Sequence, residues 1–218
     1  MERIIEADLE NLKTDMLTAF RLAQAAVEKA LAALFASDPA AAREVIGADA
    51  AIDAMECSLD AEILRMLALY QPVARDLRYI LGCMRAIGDI ERIGDQAVGI
   101  SKRVLLLDGR EPLAPPARLT ELAEATRECL ARTGLCFAEL DLDLARRICE
   151  ESDEILELNV AILKEMSEYM REAARPVERA VQICFIAHGL KRICDQCTNI
   201  AESAVFIREG ACSRHRCD

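Results

Sequence analysis

A stretch of ten residues occurs twice in this chain: Glu91-Arg92-Ile93-Gly94-Asp95-Gln96-Ala97-Val98-Gly99-Ile100 returns as Lys191-Arg192-Ile193-Cys194-Asp195-Gln196-Cys197-Thr198-Asn199-Ile200. Arg, Ile, Asp, Gln and the final Ile agree at matched positions, too ordered for chance in a run of ten. One structural unit is therefore written twice, about 100 residues apart, and the chain reads as two related halves.

Composition sets the class of that unit. Apolar residues make up 53% of the chain, aromatics only 4%, and there is no Trp. Ala, Leu, Ile, Met and Cys must then fill the core, which favours closely approaching helices over a β-sandwich. The expected class is all-α. A net charge of −11 argues against nucleic acid and anionic lipid as direct partners, since both need positive potential. No apolar run reaches the roughly 20 residues of a membrane span, and Met1-Glu2-Arg3 leads into an amphipathic helix rather than a signal peptide. The expected location is cytoplasmic, with any membrane recruitment through protein partners. Cysteines are numerous, ten in 218 residues, but most fall in helical stripes (Cys57, Cys83, Cys129, Cys136, Cys149, Cys184), as small hydrophobes in a reducing compartment would.

The apolar period divides each half into three helices. Ile5, Leu9, Leu12, Met16, Ala19, Ala23, Ala26, Ala30 and Ala33 form a heptad-like seam that ends at Ser37-Asp38-Pro39, where Asp38 caps and Pro39 opens the next helix. A second helix runs to about Tyr70, burying Ile52, Met55, Leu59, Ile63 and Met66, until Gln71-Pro72 breaks it. A third runs from about Pro72 to Leu107 with Leu77, Ile80, Met84, Ile87, Gly94, Val98 and Leu105 on one face. The Pro-rich segment 109–116 links the halves, giving a first unit at 1–108 and a second at 117–210. The second holds helices from about Ala117 to Glu139, Leu142 to Met170 and Pro176 to Arg208, before a polar tail at 211–218. Two tandem antiparallel three-helix bundles, six long helices in all, follow.

Asp49 and Asp53 stand four apart on the second helix, Glu91 and Asp95 four apart on the third. Measured from the turn at Gln71 at ~1.5 Å per residue, Asp53 and Asp49 lie roughly 27 and 33 Å down one helix, Glu91 and Asp95 roughly 30 and 36 Å along the other. The register sets four carboxylates at one level beside the apolar seams, partly withdrawn from water, with Glu56 and Asp60 extending the stripe. Clustered anions repel unless neutralised, and hard cations with oxygen ligands are the natural answer. Arg78, Arg85 and Arg92, spaced by seven, form their own stripe, rotated from Glu91.

The second copy is altered. Lys191 replaces Glu91 and Cys194 replaces Gly94, while Asp195 survives. One alignment of the fifth helix pairs Asp49 and Asp53 with Asp153 and Glu157; another, favoured by the apolar register of Leu158, Ile162, Met166 and Met170, pairs them with Ser152 and Leu156. A weak or absent metal site is expected there, with Lys191 forming an internal ion pair to Asp195.

Asp49-Ala-Ala-Ile-Asp53, Pro72-Val-Ala-Arg-Asp76-Leu-Arg78 and Glu91-Arg-Ile-Gly-Asp95, in that order, resemble the successive signatures of the PhoU family of accessory regulators of bacterial phosphate uptake. The segment Ile186 to Glu202 is similar to the second-half signature, departing at Lys191 and Cys194. The likeness covers nearly the whole chain. It implies paired three-helix bundles, metal clusters of iron or zinc on the acidic motifs, and dimerisation. It further implies contacts with the phosphate ABC transporter and the histidine kinase of the phosphate regulon, restraining uptake and gene expression. Carried over by position, the metal ligands are Asp49, Asp53, Glu91, Asp95 and, in the second half, Asp195. With no glycine-rich phosphate loop and a net negative charge, the chain is expected to receive the phosphate signal through a partner or a bound metal.

Other signals are weaker. Cys184, His188 and Asp195 offer softer ligands, but a lone His188 is read as structural or surface. Cys194 and Cys197 have CxxC spacing on a helix rather than in a turn, and Cys212, His215 and Cys217 lie in a tail expected to fray. Two other functions compete: a carboxylate-bridged dimetal enzyme and a metal-free scaffold. Such enzymes use Glu-x-x-His ligands, and neither His188 nor His215 follows a Glu by three, so no enzymatic role is expected.

Overall fold

Turn chemistry repeats before anything else does. In the computed structural model, which describes residues 2–109, 115–172 and 177–210 with side chains from residue 5, helix α1 (Glu2–Ala36) ends where Ser37 adopts a left-handed φ of 52°. Asp38 then accepts from the amides of Ala40 and Ala41 at 2.8 and 3.1 Å, with Pro39 leading α2 (Pro39–Ala48). In the second half α5 (Ala117–Glu139) ends at Leu140, again with φ 52°, and Asp141 accepts from Asp143 and Leu144 at 2.9 and 3.0 Å to start α6 (Leu142–Glu150). Each aspartate satisfies amides that the first helical turn leaves without partners.

The second and fifth expected helices are each interrupted at one residue. Asp49 separates α2 from α3 (Ala50–Tyr70), and Glu151 separates α6 from α7 (Ser152–Arg171). Both keep right-handed dihedrals, so the chain barely changes course. Gln71, with φ 46°, closes α3, and α4 spans Ala74–Leu107, starting two residues later than Pro72. The sixth expected helix is α8 (Val177–Glu209); its expected start at Pro176, most of the linker (110–114) and the tail with Cys212, His215 and Cys217 fall outside the described residues. Among the described residues every element is a helix, and none is long and apolar enough to cross a membrane.

Buried positions fix the internal alignment. Ala42, Val45, Ile52, Leu59 and Ile63 match Ala145, Ile148, Ile155, Ile162 and Met166, each 103 residues on. That register sets Ser152 against Asp49 and Leu156 against Asp53. The two long helices α4 and α8 run antiparallel through the middle and join the halves in one core. Gly82 lies under Ile207, Gly189 against Ile100, and Asn199 donates to Asp89 at 3.1 Å between them. At Gly82 an added Cβ would stand 2.3 Å from Ile207 Cγ1, so only glycine permits this approach. The arginine stripe turns toward α8: Arg78 donates to the Ile207 carbonyl and Arg85 stacks over Phe206, while Arg92 pairs with Asp89. Met84 and Cys57, expected inside, are exposed, because each sits at the edge of its helix's apolar stripe.

Candidate functional site

Gly94 brings α3 and α4 together. Ile52 Cδ1 lies 2.8 Å and Asp49 Oδ1 3.6 Å from where a Cβ of residue 94 would stand, and nearly two turns earlier on α4 Glu56 Oε1 lies 3.9 Å from the same position at Gly88. Around this buried Ile52–Gly94 contact stand Asp49 at the α2–α3 junction, Asp53 in the first turn of α3, and Glu91 and Asp95 on α4. Asp49, Glu56 and Glu91 are half-buried, whereas Asp53 and Asp95 are exposed, so the withdrawal from water expected for all four reaches only part of the set. The reason is angular: Asp53 and Asp95 lie on the outer edge of the groove, one helical step beyond Ile52 and Gly94.

The carboxylates sense one another. Burial first, then Asp95, Glu56 and Asp53, push the Glu91 carboxyl up to about 7, with Arg92 opposing. Burial, then Asp53 and Asp95, raise Asp49 against the pull of Lys102. Burial, then Asp60 and Asp53, raise Glu56. Cations in the neighbourhood do not close on the group, since Arg92 makes its ion pair with Asp89. Like charges raising each other's pKa store electrostatic work that a bound cation would recover.

The donor set is carboxylate oxygen throughout, which fits a hard cation better than zinc, whose usual ligands include imidazole or thiolate. In the conformation described the side chains line one level of the α3–α4 groove without converging: among the described residues no three His, Cys, Asp or Glu side chains form a group able to hold an ion. Holding one would take rotation of these side chains, which the exposure of Asp53 and Asp95 leaves free to occur.

Asp195 is not gathered with other acids. Lys191 Nζ donates to its Oδ2 at 2.7 Å, the ion pair anticipated from the altered repeat. By the burial register Ser152, Leu156 and Asn159 occupy the places of Asp49, Asp53 and Glu56, and Asn159 is buried with its Oδ1 unpartnered. The second half thus keeps the helices of the first without its acid set. His188 lies on the surface of α8.

Two features escaped sequence reasoning. Asp89, almost fully buried between α4 and α8, receives Asn199 and Arg92 at 3.1 Å each. Its signal was present in the repeat, where Gly189 matches Asp89 and Gly99 matches Asn199. The other is a thiol cluster: Cys129 from α5 hydrogen-bonds Cys194 and Cys197 from α8, and Cys194 reaches Thr126 Oγ1 at 3.6 Å. Burial and the bond to Cys129 hold the Cys197 thiol protonated, in keeping with a core role.

Comparison with known proteins bears on this arrangement. The family model described as the PhoU domain matches residues 16–104 and again 119–204. A phosphate-specific transport system accessory protein PhoU homolog of Aquifex aeolicus is 34% identical across 96% of this chain and 95% of its own length. One from Xylella fastidiosa (strain Temecula1) is 35% identical across 97% and 89%. The crystal structure of PhoU from Pseudomonas aeruginosa superposes with a TM-score of 0.90 at 30% identity, covering 94% of this chain and 99% of that one. The phosphate transport system regulatory protein PhoU from Streptococcus pneumoniae gives 0.89 at 27%, covering 95% and 98%.

Proposed function

Because this chain belongs to the PhoU family, we propose that it is a non-enzymatic, cytoplasmic regulator of phosphate uptake and of the phosphate-starvation response. It works by contact with the ATPase of the phosphate ABC transporter and with the histidine kinase of the phosphate regulon, as a homodimer. A metal ion held by Asp49, Asp53, Glu91 and Asp95 belongs to the first half; Asp195, engaged by Lys191, takes no part in a second cluster. The observation that carries this reading is the family match over both halves, together with relatives named as accessory or regulatory proteins of phosphate transport.

The chain's own residues have two tasks in this scheme. The acids of the α3–α4 groove hold the cation, and bound metal would neutralise them and fix the two helices in register. The helix faces carry the partner contacts. Pull-down of the transporter ATPase and the sensor kinase by the full chain, with phosphate varied, is expected to recover both in a phosphate-dependent manner. Failure to recover either at any phosphate level would sink the regulatory role. Metal content of the wild type beside Asp53→Asn/Glu91→Gln, purified without chelator, tests the site separately, and equal content in both would reject these ligands.

A further inference from the structure

A cavity of about 560 Å³ opens at the seam between the halves, far along the sequence from the acidic groove's residues on α3. It lies between α1, the first turns of α4 and the C-terminal ends of α5 and α8. Four basic side chains line it: Lys13, Arg75, Arg78 and Arg208. Only two acids, Glu10 and Asp76, accompany them. We propose that this cavity is a binding site for a small phosphate-bearing molecule.

Three observations carry the assignment. First, among the described residues none of the four cations makes an ion pair, although Glu10 and Asp76 line the same cavity. Arg65, Arg118, Arg127, Arg132, Arg146 and Lys191 meet carboxylates; Lys29 and Arg43 also lack such a partner among the described residues, but they are exposed and line no common space with other cations. Cations gathered in excess of the acids beside them repel one another, and an anionic ligand removes that cost. Second, Arg78 is set in place by the fold. Its Nε donates to the Ile207 carbonyl at 3.3 Å, and its stem passes over Gly210, where a Cβ would stand 3.1 Å from Cδ. A guanidinium so fixed keeps its remaining N–H groups for an oxyanion, the planar recognition at which Arg excels. Third, the volume falls within the range of small-molecule sites, and Leu9, Phe137 and Tyr79 give it an apolar wall. Free phosphate needs less room than this, so a nucleoside phosphate is the fuller match.

The charge of −11 describes the surface at long range, not this cavity, where basic groups outnumber acids. Anions are slowed in approach but not barred from binding. This site does not depend on the partners or the metal proposed above.

Isothermal titration of the full chain with inorganic phosphate, pyrophosphate and a nucleoside monophosphate tests it. Saturable binding to the wild type is expected, falling at least tenfold in Lys13→Gln/Arg75→Gln, both outside the core, and unchanged in Arg146→Gln, which lies away from the cavity. Tighter binding of the nucleotide than of phosphate assigns an organic ligand, and the reverse assigns the free ion. No saturable binding of any of the three, or an equal loss in Arg146→Gln, would overturn the proposal.

Discussion

Neutralising Glu91 should stabilise the metal-free protein at alkaline pH. Its carboxyl titrates near 7 in the folded chain against an ordinary 4.5, chiefly because of burial and then the charges of Asp95, Glu56 and Asp53. The folded state therefore takes up this proton before the unfolded state does, and the penalty for ionising it is absent below 4.5, grows as pH rises, and is complete above about 7. Taken at face value the gap is worth about 3 kcal/mol. Glu91 is only half-buried and its neighbours Asp53 and Asp95 are exposed, so solvent and salt reduce this to about 1 kcal/mol. Thermal unfolding with a chelator present, at low ionic strength, should then place Glu91→Gln about 2–4 °C above the wild type near pH 8. Near pH 4.5 the two midpoints should converge. Taking the difference between variant and wild type cancels the titration of groups that are not coupled to Glu91, leaving that of Glu91 and its groove neighbours. A variant less stable than wild type near pH 8, or a difference that does not change with pH, would refute the account of a mutually repelling acidic groove.

A hard divalent cation should reverse that order: near pH 8 it should raise the unfolding free energy of the wild type by about 2.7 kcal/mol at a hundredfold excess over Kd, seen as a higher midpoint, and leave Asp53→Asn/Glu91→Gln unmoved. Gly82→Ala should destabilise by about 1–3 kcal/mol in urea titration, since its Cβ would press on Ile207 Cγ1 and Cδ1 at 2.3 and 2.6 Å, and adding Ile207→Ala should recover part of that loss on the clash term. Asp38→Ala and Asp141→Ala should each cost about 1 kcal/mol by the same measurement, because each removes two amide contacts at matching turns; a loss confined to one of them would break the equivalence of the halves.

Much of the site was legible because a helix converts spacing into geometry. Residues four apart share a face, and a fixed rise per residue set Asp49 and Asp53 level with Glu91 and Asp95, where Gly94 indeed meets Ile52 and Asp49. The loss of acids from the second half was legible for the same reason, and the choice of Ser152 and Leu156 over Asp153 and Glu157 followed from the apolar register. Exposure was not legible, because one helical step separates Asp53 from the buried Ile52 and sequence period does not resolve that step.

The sequence alone determined the helical class, the duplication, the turn capped by Asp38, and the level of the acids, all of which depend on neighbours within a few residues or on a count along one helix. Tertiary structure decided what depends on distant segments meeting. The antiparallel contact of α4 with α8, the Asp89–Asn199 bond, the joining of Cys129 to Cys194 and Cys197, and the basic cavity made from four helices each unite positions more than 60 residues apart. Such meetings are set by how the packed faces of whole helices fit, a property no local window of the chain contains.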